Sequence, residues 1–307
     1  MKKDFLRLWD LNSDEMTSIW KRAAEYKKDL VSDRPLNGKT VGLLFEKPST
    51  RTRVSFEVAV LQTGGHSLFI SSRDTQMTRN EPLKDTARVL SRYLDLLVVR
   101  TFSHRIIEEL AQYSAVPVIN ALSDLFHPAQ ILSDLFTVWE RLGDLEGLKI
   151  AWLGDGNNVA HSWMEAACRF PFQLVMACPR GFEPQKEILQ WAKELAGERI
   201  TVTQEPLEAV RGARVINTDV WASMGQEDQA ADRIKYFKTF QLNARLLEQA
   251  HKDCFVLHCL PAHRGEEITE EVLEGPRSAV FDQAENKMHV HKALLEFILQ
   301  GRKGLGG

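Results

Sequence analysis

Cysteine is scarce. Cys168, Cys178, Cys254 and Cys259 are the four in 307 residues, with no C-x-x-C pair and no regular spacing. That speaks against a disulfide framework and a zinc cluster, and fits reduced thiols in a cytoplasmic protein. Positive charge is not in excess: 39 Lys and Arg face 42 Asp and Glu, a formal net charge of -3. The total therefore implies no basic face for nucleic acid. No apolar run approaches the length that spans a membrane. The start, Met1-Lys2-Lys3-Asp4, leads into Phe5 and Leu6, but Arg7 and Asp10 interrupt it, which is not a signal-peptide pattern. Internal repeats and low-complexity tracts are lacking too, and only the tail Gly301–Gly307 reads as loose. What remains, 44% hydrophobic and 26% charged, reads as a globular chain long enough for two domains with substantial cores.

Apolar runs of strand length alternate with helical spacing. Val41–Phe45, Ser67–Ile70, Leu96–Arg100 and Val116–Ile119 read as strands. Helical patterns near 54–62, 83–93 and 106–113 lie among them. After a helix near 129–142, Gly143-Asp144-Leu145-Glu146-Gly147 breaks the pattern. A second set of strands follows: Lys149–Leu153, Gln173–Ala177, Ile200–Val202, Ala213–Thr218 and Phe255–His258. The alternation predicts an α/β protein of two doubly wound domains, each a mainly parallel sheet flanked by helices. The boundary is expected at 143–148, giving domains over 1–143 and 148–285. A last amphipathic helix is expected from about 286, with Ala293, Leu294, Phe297 and Ile298 on its apolar face.

The turn after the first strand concentrates polar chemistry. Pro48 ends the strand, Ser49 or Thr50 can cap the next helix, and Arg51, Thr52 and Arg53 follow. In open parallel sheets ligands sit beyond the carboxyl ends of the strands, where this turn lies. Hydroxyls, free backbone N–H groups and guanidiniums at a helix N-terminus suit a phosphate. An ordinary capped helix with solvated arginines fits the same residues. Arg100 closing an apolar strand reads as a residue meeting solvent or as one pointing to the same site. His127 before Pro128 reads as a satisfied polar side chain, Asp219 as a turn residue, and Cys259 as inert packing. Gly154-Asp155-Gly156-Asn157-Asn158 follows a strand, but Val159 stands where a dinucleotide fingerprint needs its third glycine, so a nicotinamide site is not supported.

Together these segments resemble the aspartate/ornithine carbamoyltransferase family. Ser49-Thr50-Arg51-Thr52-Arg53 with Ser55-Phe56-Glu57 is similar to its carbamoyl-phosphate motif, and His127-Pro128-Ala129-Gln130 to its second. The Asn157-Asn158, Asp219 with Ser223-Met224-Gly225, and His258-Cys259-Leu260-Pro261 segments resemble the ornithine branch. The resemblance covers nearly the whole chain, with motifs in family order. It implies transfer of the carbamoyl group of carbamoyl phosphate to the side-chain amine of L-ornithine, giving L-citrulline and phosphate within arginine and citrulline metabolism. No metal or organic cofactor is implied.

The resemblance also implies that Ser49, Thr50, Arg51, Thr52, Gln76, Arg100, His127, Gln130, Cys259, Leu260 and Lys287 hold carbamoyl phosphate. It assigns Asn158, Asp219, Ser223 and Met224 to ornithine. Arg51, Arg100, His127 and Cys259 would carry the chemistry, with Cys259 as acceptor for the amine proton. Lys287 stands where the family usually has Arg, which keeps the charge and loses the fork. Two interdomain helices, the last (about 286–302) packing back onto the first domain, and a homotrimer or an assembly of trimers are implied as well. Two other functions compete: a carbamoyltransferase for another amine such as putrescine, and a non-catalytic ligand-binding paralogue.

Overall fold

The protein is described by a computed structural model over residues 2–71, 81–222 and 230–300. Gln76, Ser223 and Met224 lie outside these residues. The chain folds as two compact units, Met1–Phe136 with Glu285–Gly307, and Thr137–Ala284.

In the first unit the order is α1 (Ser13–Lys27), β1 (Thr40–Phe45), α2 (Thr50–Gln62), β2 (His66–Ser71), α3 (Leu83–Tyr93), β3 (Leu96–Arg100), α4 (His104–Tyr113), β4 (Val118–Leu122) and α5 (Pro128–Leu142). Its sheet runs β2-β1-β3-β4, with every pair parallel. Leu44, Leu97, Val99, Ile107 and Leu110 are buried in one of its core clusters, each such side chain contributing about 1.5–3 kcal/mol. The free edge of β4 is covered by the N-terminus: Phe5 N–H donates to Val118 O at 2.8 Å, and Asn120 N–H to Phe5 O at 2.8 Å. This blunts an edge open to foreign strands.

The second unit carries β5 (Lys149–Leu153), α6 (Asn158–Arg169), β6 (Gln173–Ala177), α7 (Lys186–Ala196), β7 (Ile200–Thr203), α8 (Pro206–Val210), β8 (Val215–Thr218), α9 (Ala230–Phe237), α10 (Ala244–Leu247), β9 (Phe255–His258), α11 (Glu270–Leu273) and the start of α12 (Val280–Gln300). Its sheet runs β7-β6-β5-β8-β9, again parallel throughout. In both sheets the strand order reverses direction in the middle, which is where ligands bind in doubly wound folds.

Several elements differ from the sequence reading. The fourth strand starts at Val118, not Val116, because Pro117 has no N–H to give; its carbonyl still accepts from Leu97 N–H at 2.9 Å. It continues past Ile119 because Asn120, polar but fully buried, donates to Leu6 O at 2.8 Å. The two compact units divide within α5, after Phe136, and that helix ends at Leu142, just before the loop at 143–148. The last helix starts at Val280, earlier than expected, because polar Gln283 and Asn286 take buried positions in its first turns while Phe281 is exposed. It begins in the second unit and ends in the first.

Within the first unit α12 is fixed to α1 by a buried carboxylate. Glu296, 3% exposed, accepts from Arg22 Nε and Nη2 at 2.9 Å each and from Tyr26 OH at 2.5 Å. Removing it leaves Tyr26 OH without this acceptor and leaves the largely buried Arg22 only the more exposed Glu25 at 2.9 Å and Asp33 at 3.2 Å as anions. Glu296→Ala is expected to lower unfolding stability by about 3 kcal/mol, read as a shift of the urea midpoint at unchanged slope.

Candidate active site

The carboxyl end of the first sheet gathers one group of polar side chains. Phe45 pairs with Arg100, so β1 and β3 end level. The chain leaving β1 passes Lys47, whose ammonium lies 4.2 Å from the Phe102 ring centroid. It enters α2 at Ser49, the N-cap, whose Oγ accepts from Thr52 N–H at 3.2 Å. A groove of about 560 Å³ opens here, lined in part by Lys47, Ser49, Thr50 and Arg53. Thr50 and Arg51 are exposed in the first turn, whereas Thr52 is buried. Arg53 points away along the helix, paired with Glu57 at 2.9 Å and stacked 3.5 Å from the Phe69 ring.

Thr52 touches the predicted Lys287. The buried Lys287 Nζ donates to Thr52 Oγ1 at 3.2 Å and to Gln130 Oε1 at 2.8 Å. Gln130 Nε2 donates onward to Asp134 Oδ1 at 2.8 Å, so its amide orientation is determined at both ends. His127 precedes Pro128 at the head of α5 and is buried, like Arg100. Burial first, and then the charges of Lys287 and Arg100, hold its pKa well below 6.5. It is a neutral imidazole among cations at physiological pH. Thr52, Gln130 and Lys287, far apart in sequence, therefore meet in hydrogen-bond contact, with His127 and Arg100 within their electrostatic reach.

One participant carries no sequence motif. His291 lies one turn after Lys287 on α12, is fully buried, and stacks on Phe56 at 3.7 Å between centroids. Its Nδ1 is 3.1 Å from Ser55 Oγ, and because that hydroxyl donates to Thr52 O, Nδ1 is the donor. Burial and then Lys287 push its pKa well below 6.5. The i, i+4 spacing of Lys287 and His291 on a helix was the available signal.

A second group gathers at the carboxyl end of the other sheet. Leu153 pairs with Thr218 and Thr218 with His258. Three strands thus end level, and the residues just beyond them are Gly154, Asp219 and Cys259. Asp219 Oδ1 accepts from Cys259 Sγ at 3.1 Å and from Val220 N–H at 2.9 Å, while Oδ2 accepts from Asn157 Nδ2 at 2.9 Å. Asn157 also caps α6, its Oδ1 accepting from Val159 and Ala160 N–H. The sequence reading singled out Asn158, which forms the first helical residue; Asn157 is the one that grips Asp219 in the described structure.

The glycines of the broken fingerprint have a packing role. A Cβ on Gly156 would lie 2.2 Å from Pro184 N and 2.4 Å from Glu183 C. The loop is therefore closed against 183–184, with Gly156 N–H donating to Phe182 O at 2.7 Å.

The turn carrying Cys259 is pinned from below. His258 Nδ1 accepts from Leu260 N–H at 2.9 Å, which leaves the proton on Nε2 to donate to Glu267 Oε1 at 3.0 Å. Both side chains are fully buried. Leu260 takes φ +57, a strained value for a bulky residue that these bonds sustain. Asp219, His258 and Cys259 bring potential metal-ligand atoms within 4.8 Å of one another. Both imidazole nitrogens of His258 are already engaged, so a cation using this trio would have to break one of those bonds.

With this geometry in view, the comparisons with known proteins decide the family. Residues 3–140 match the family model described as aspartate/ornithine carbamoyltransferase, carbamoyl-P binding domain, and residues 146–298 match the Asp/Orn binding domain of the same family. The chain belongs to the aspartate/ornithine carbamoyltransferase family. It is 56% identical to the ornithine carbamoyltransferase of Desulfotalea psychrophila over 95% of this chain and 97% of that one. It is 54% identical to that of Geobacter sulfurreducens over 98% and 100%. Among solved structures, the ornithine carbamoyltransferase of Pyrococcus furiosus superposes with a TM-score of 0.94 at 47% identity, covering 98% of each chain. Both halves of this family's fold are thus present.

The neutral histidines of the first unit make stability depend on pH with a defined sign. Below 6.5 the unfolded chain protonates His127 and His291 while the folded chain does not, so stability falls as pH drops through 6.5. Each contributes a slope of at most about 1.4 kcal/mol per pH unit. In His291→Gln the loss of stability between pH 7.5 and 5.5 is expected to be smaller than in the parent by about 1 kcal/mol, read from urea midpoints at the two pH values.

Proposed function

We infer that the chain is an ornithine carbamoyltransferase, moving the carbamoyl group of carbamoyl phosphate to the side-chain amine of L-ornithine to give L-citrulline and phosphate. The observation that carries this reading is that one family fold bears two polar groups of opposite electrostatic character, one in each unit. The first unit offers a helix N-terminus, hydroxyls and the cations Arg51, Arg100 and Lys287, which suits a phosphorylated, anionic donor. The second offers a buried carboxylate, Asp219, held by Asn157 and Cys259, which suits an ammonium. Relatives at 50–56% identity bear the name ornithine carbamoyltransferase.

In this reading Ser49, Thr50, Arg51 and Thr52 hold the phosphate, with Gln76 reaching a site from a neighbouring copy. Arg100, His127 and Thr52 donate to the carbamoyl oxygen as negative charge grows on it, and a neutral imidazole is a sufficient donor. Gln130 keeps an acceptor lone pair on Oε1 for the carbamoyl NH2, and Lys287 holds that amide in place. Asn158, Asp219, Ser223 and Met224 take the α-amino-acid end of ornithine, which putrescine lacks. The side-chain amine attacks as the free base after its ammonium proton is lost to solvent: its nitrogen forms the new bond to the carbonyl carbon, the bond from that carbon to the phosphate oxygen breaks and phosphate leaves, and the second nitrogen proton passes to Cys259 Sγ as the thiol's own proton moves to Asp219 Oδ1.

Two further parts belong to the same proposal. The chain works as a homotrimer, consistent with the exposed apolar residues Val54, Leu61, Leu68 and Phe69 around the edge strand β2. Its free thiols suit the reducing cytoplasm.

Phosphate release and the matching carbamoylated product, measured with L-ornithine, putrescine, N-acetylornithine and L-aspartate in parallel, are expected to show at least a hundredfold preference for ornithine, about 2.7 kcal/mol; equal use of putrescine would overturn the assignment of Asp219. Cys259→Ser is expected to lower kcat by about 10²-fold or more at unchanged carbamoyl-phosphate KM. Undiminished turnover would remove the proton-acceptor role from the thiol.

A further inference from the structure

Beside the Asp219 site lies a charged pair that neither the motifs nor the proposed mechanism uses. Asp155, two residues before Asn157, forms an ion pair with Arg233 of α9. Arg233 is 7% exposed. Its guanidinium sits 4.7 Å from the Phe182 centroid and 5.3 Å from that of Phe237, and its Nε donates to Trp221 O. Trp221 and Phe237 approach to 5.8 Å. The arginine thus ties three chain segments into one unit: the loop bearing Asn157, the stretch just after Asp219, and α9.

The geometry creates a charge problem that Arg233 resolves. Asp155 and Asp219 are close enough to repel, and Asn157 is hydrogen-bonded to Asp219 from the same loop. Two neighbouring carboxylates in a poorly hydrated site do not both stay ionised unless one is paired. The groups facing Asp155 are Arg233, Asp219 and the buried thiol Cys178; Cys259 faces Asp219. Burial pushes Asp155 up to about 6 even with the arginine in place, so its ionisation depends on that partner.

We propose that Arg233 is a positioning residue for the amine half-site, pairing with Asp155 so that Asp219 alone presents an unshared negative charge to the substrate's ammonium. The proposal rests on the reading of Asp219 as the ornithine site. Without Arg233 the two carboxylates hold one proton between them and the charge offered to the ammonium is divided, so the proposal predicts that the harm done by losing Arg233 disappears in Asp155→Asn, whose amide cannot take part in that sharing. A purely structural role in the aromatic cage predicts the opposite, since the double variant would lack both halves of the pair.

The test is steady-state citrulline formation between pH 6 and 9.5 at saturating carbamoyl phosphate, with ornithine varied, for the parent, Arg233→Met, Arg233→Lys, Asp155→Asn and the double variant R233M/D155N. In Arg233→Met the ornithine KM at pH 7 is expected to rise about tenfold or more, easing as pH rises, while the carbamoyl-phosphate KM changes less than about twofold. Arg233→Lys, which keeps the charge, and the double variant are expected within about threefold of the parent. Asp155→Asn alone is expected to leave the ornithine KM within the same factor. A double variant no better than Arg233→Met, or Arg233→Met with an unchanged KM, overturns the proposal. Should Arg233→Met fail to fold, the double variant and Asp155→Asn decide alone: a KM raised more than about threefold in both rejects it. A parent enzyme that forms no citrulline from ornithine overturns the underlying reading instead, and is told apart because it fails before any variant is compared.

Discussion

Parallel pairing is the constraint on which both polar groups depend. Strands that all run one way deliver all their carboxyl ends to one edge of the sheet, and crossover helices return the chain to start again. Register then decides which residues become neighbours. Because Leu153, Thr218 and His258 lie side by side, the next residue of each strand emerges at the same level. That brings Asp219 and Cys259 together from 40 residues apart. The same logic sets Arg100, the last residue of β3, level with Phe45 at the end of β1, and Ser49 beyond it in the other unit.

The two groups handle burial of polar atoms in different ways. In the first unit a single ammonium, Lys287, is satisfied by neutral oxygens of Thr52 and Gln130, and the surrounding imidazoles give up their own protons. The result is a field of one sign with fixed donors. In the second unit a carboxylate is satisfied by an amide, a thiol and a backbone N–H, while the adjacent acid is paired with an arginine. Buried charge is tolerated in both because hydrogen bonds surround it at short range.

Much of this was legible in the sequence because short-range patterns carried it. The alternation of apolar strands and helices, the Ser49 cap, and the Pro128 helix start are local facts. The missing third glycine after Gly156 is a local fact too, though the reason for Gly156 itself, backbone contact with 183–184, is a tertiary one. Other features needed three dimensions. Asn120 hid half of β4 by being polar inside a sheet. The bond from Asn157 to Asp219 could not be read without knowing which side chain faced that carboxylate. Arg233 and His291 sit in helical stretches with no motif, and their partners lie in other segments of the chain. Gln76, Ser223 and Met224 fall outside the described residues.

The route of α12 has a consequence for the order in which the molecule can be completed. Lys287, His291 and Glu296 all reside in the last stretch of chain yet complete the unit that begins at the N-terminus. During synthesis the first sheet can form as soon as β4 has emerged, with its hydroxyls and arginines in place. It lacks the ammonium that orders Thr52 and Gln130 until α12 has followed. A chain cut short before Lys287 would therefore carry those two side chains without the cation that holds them together.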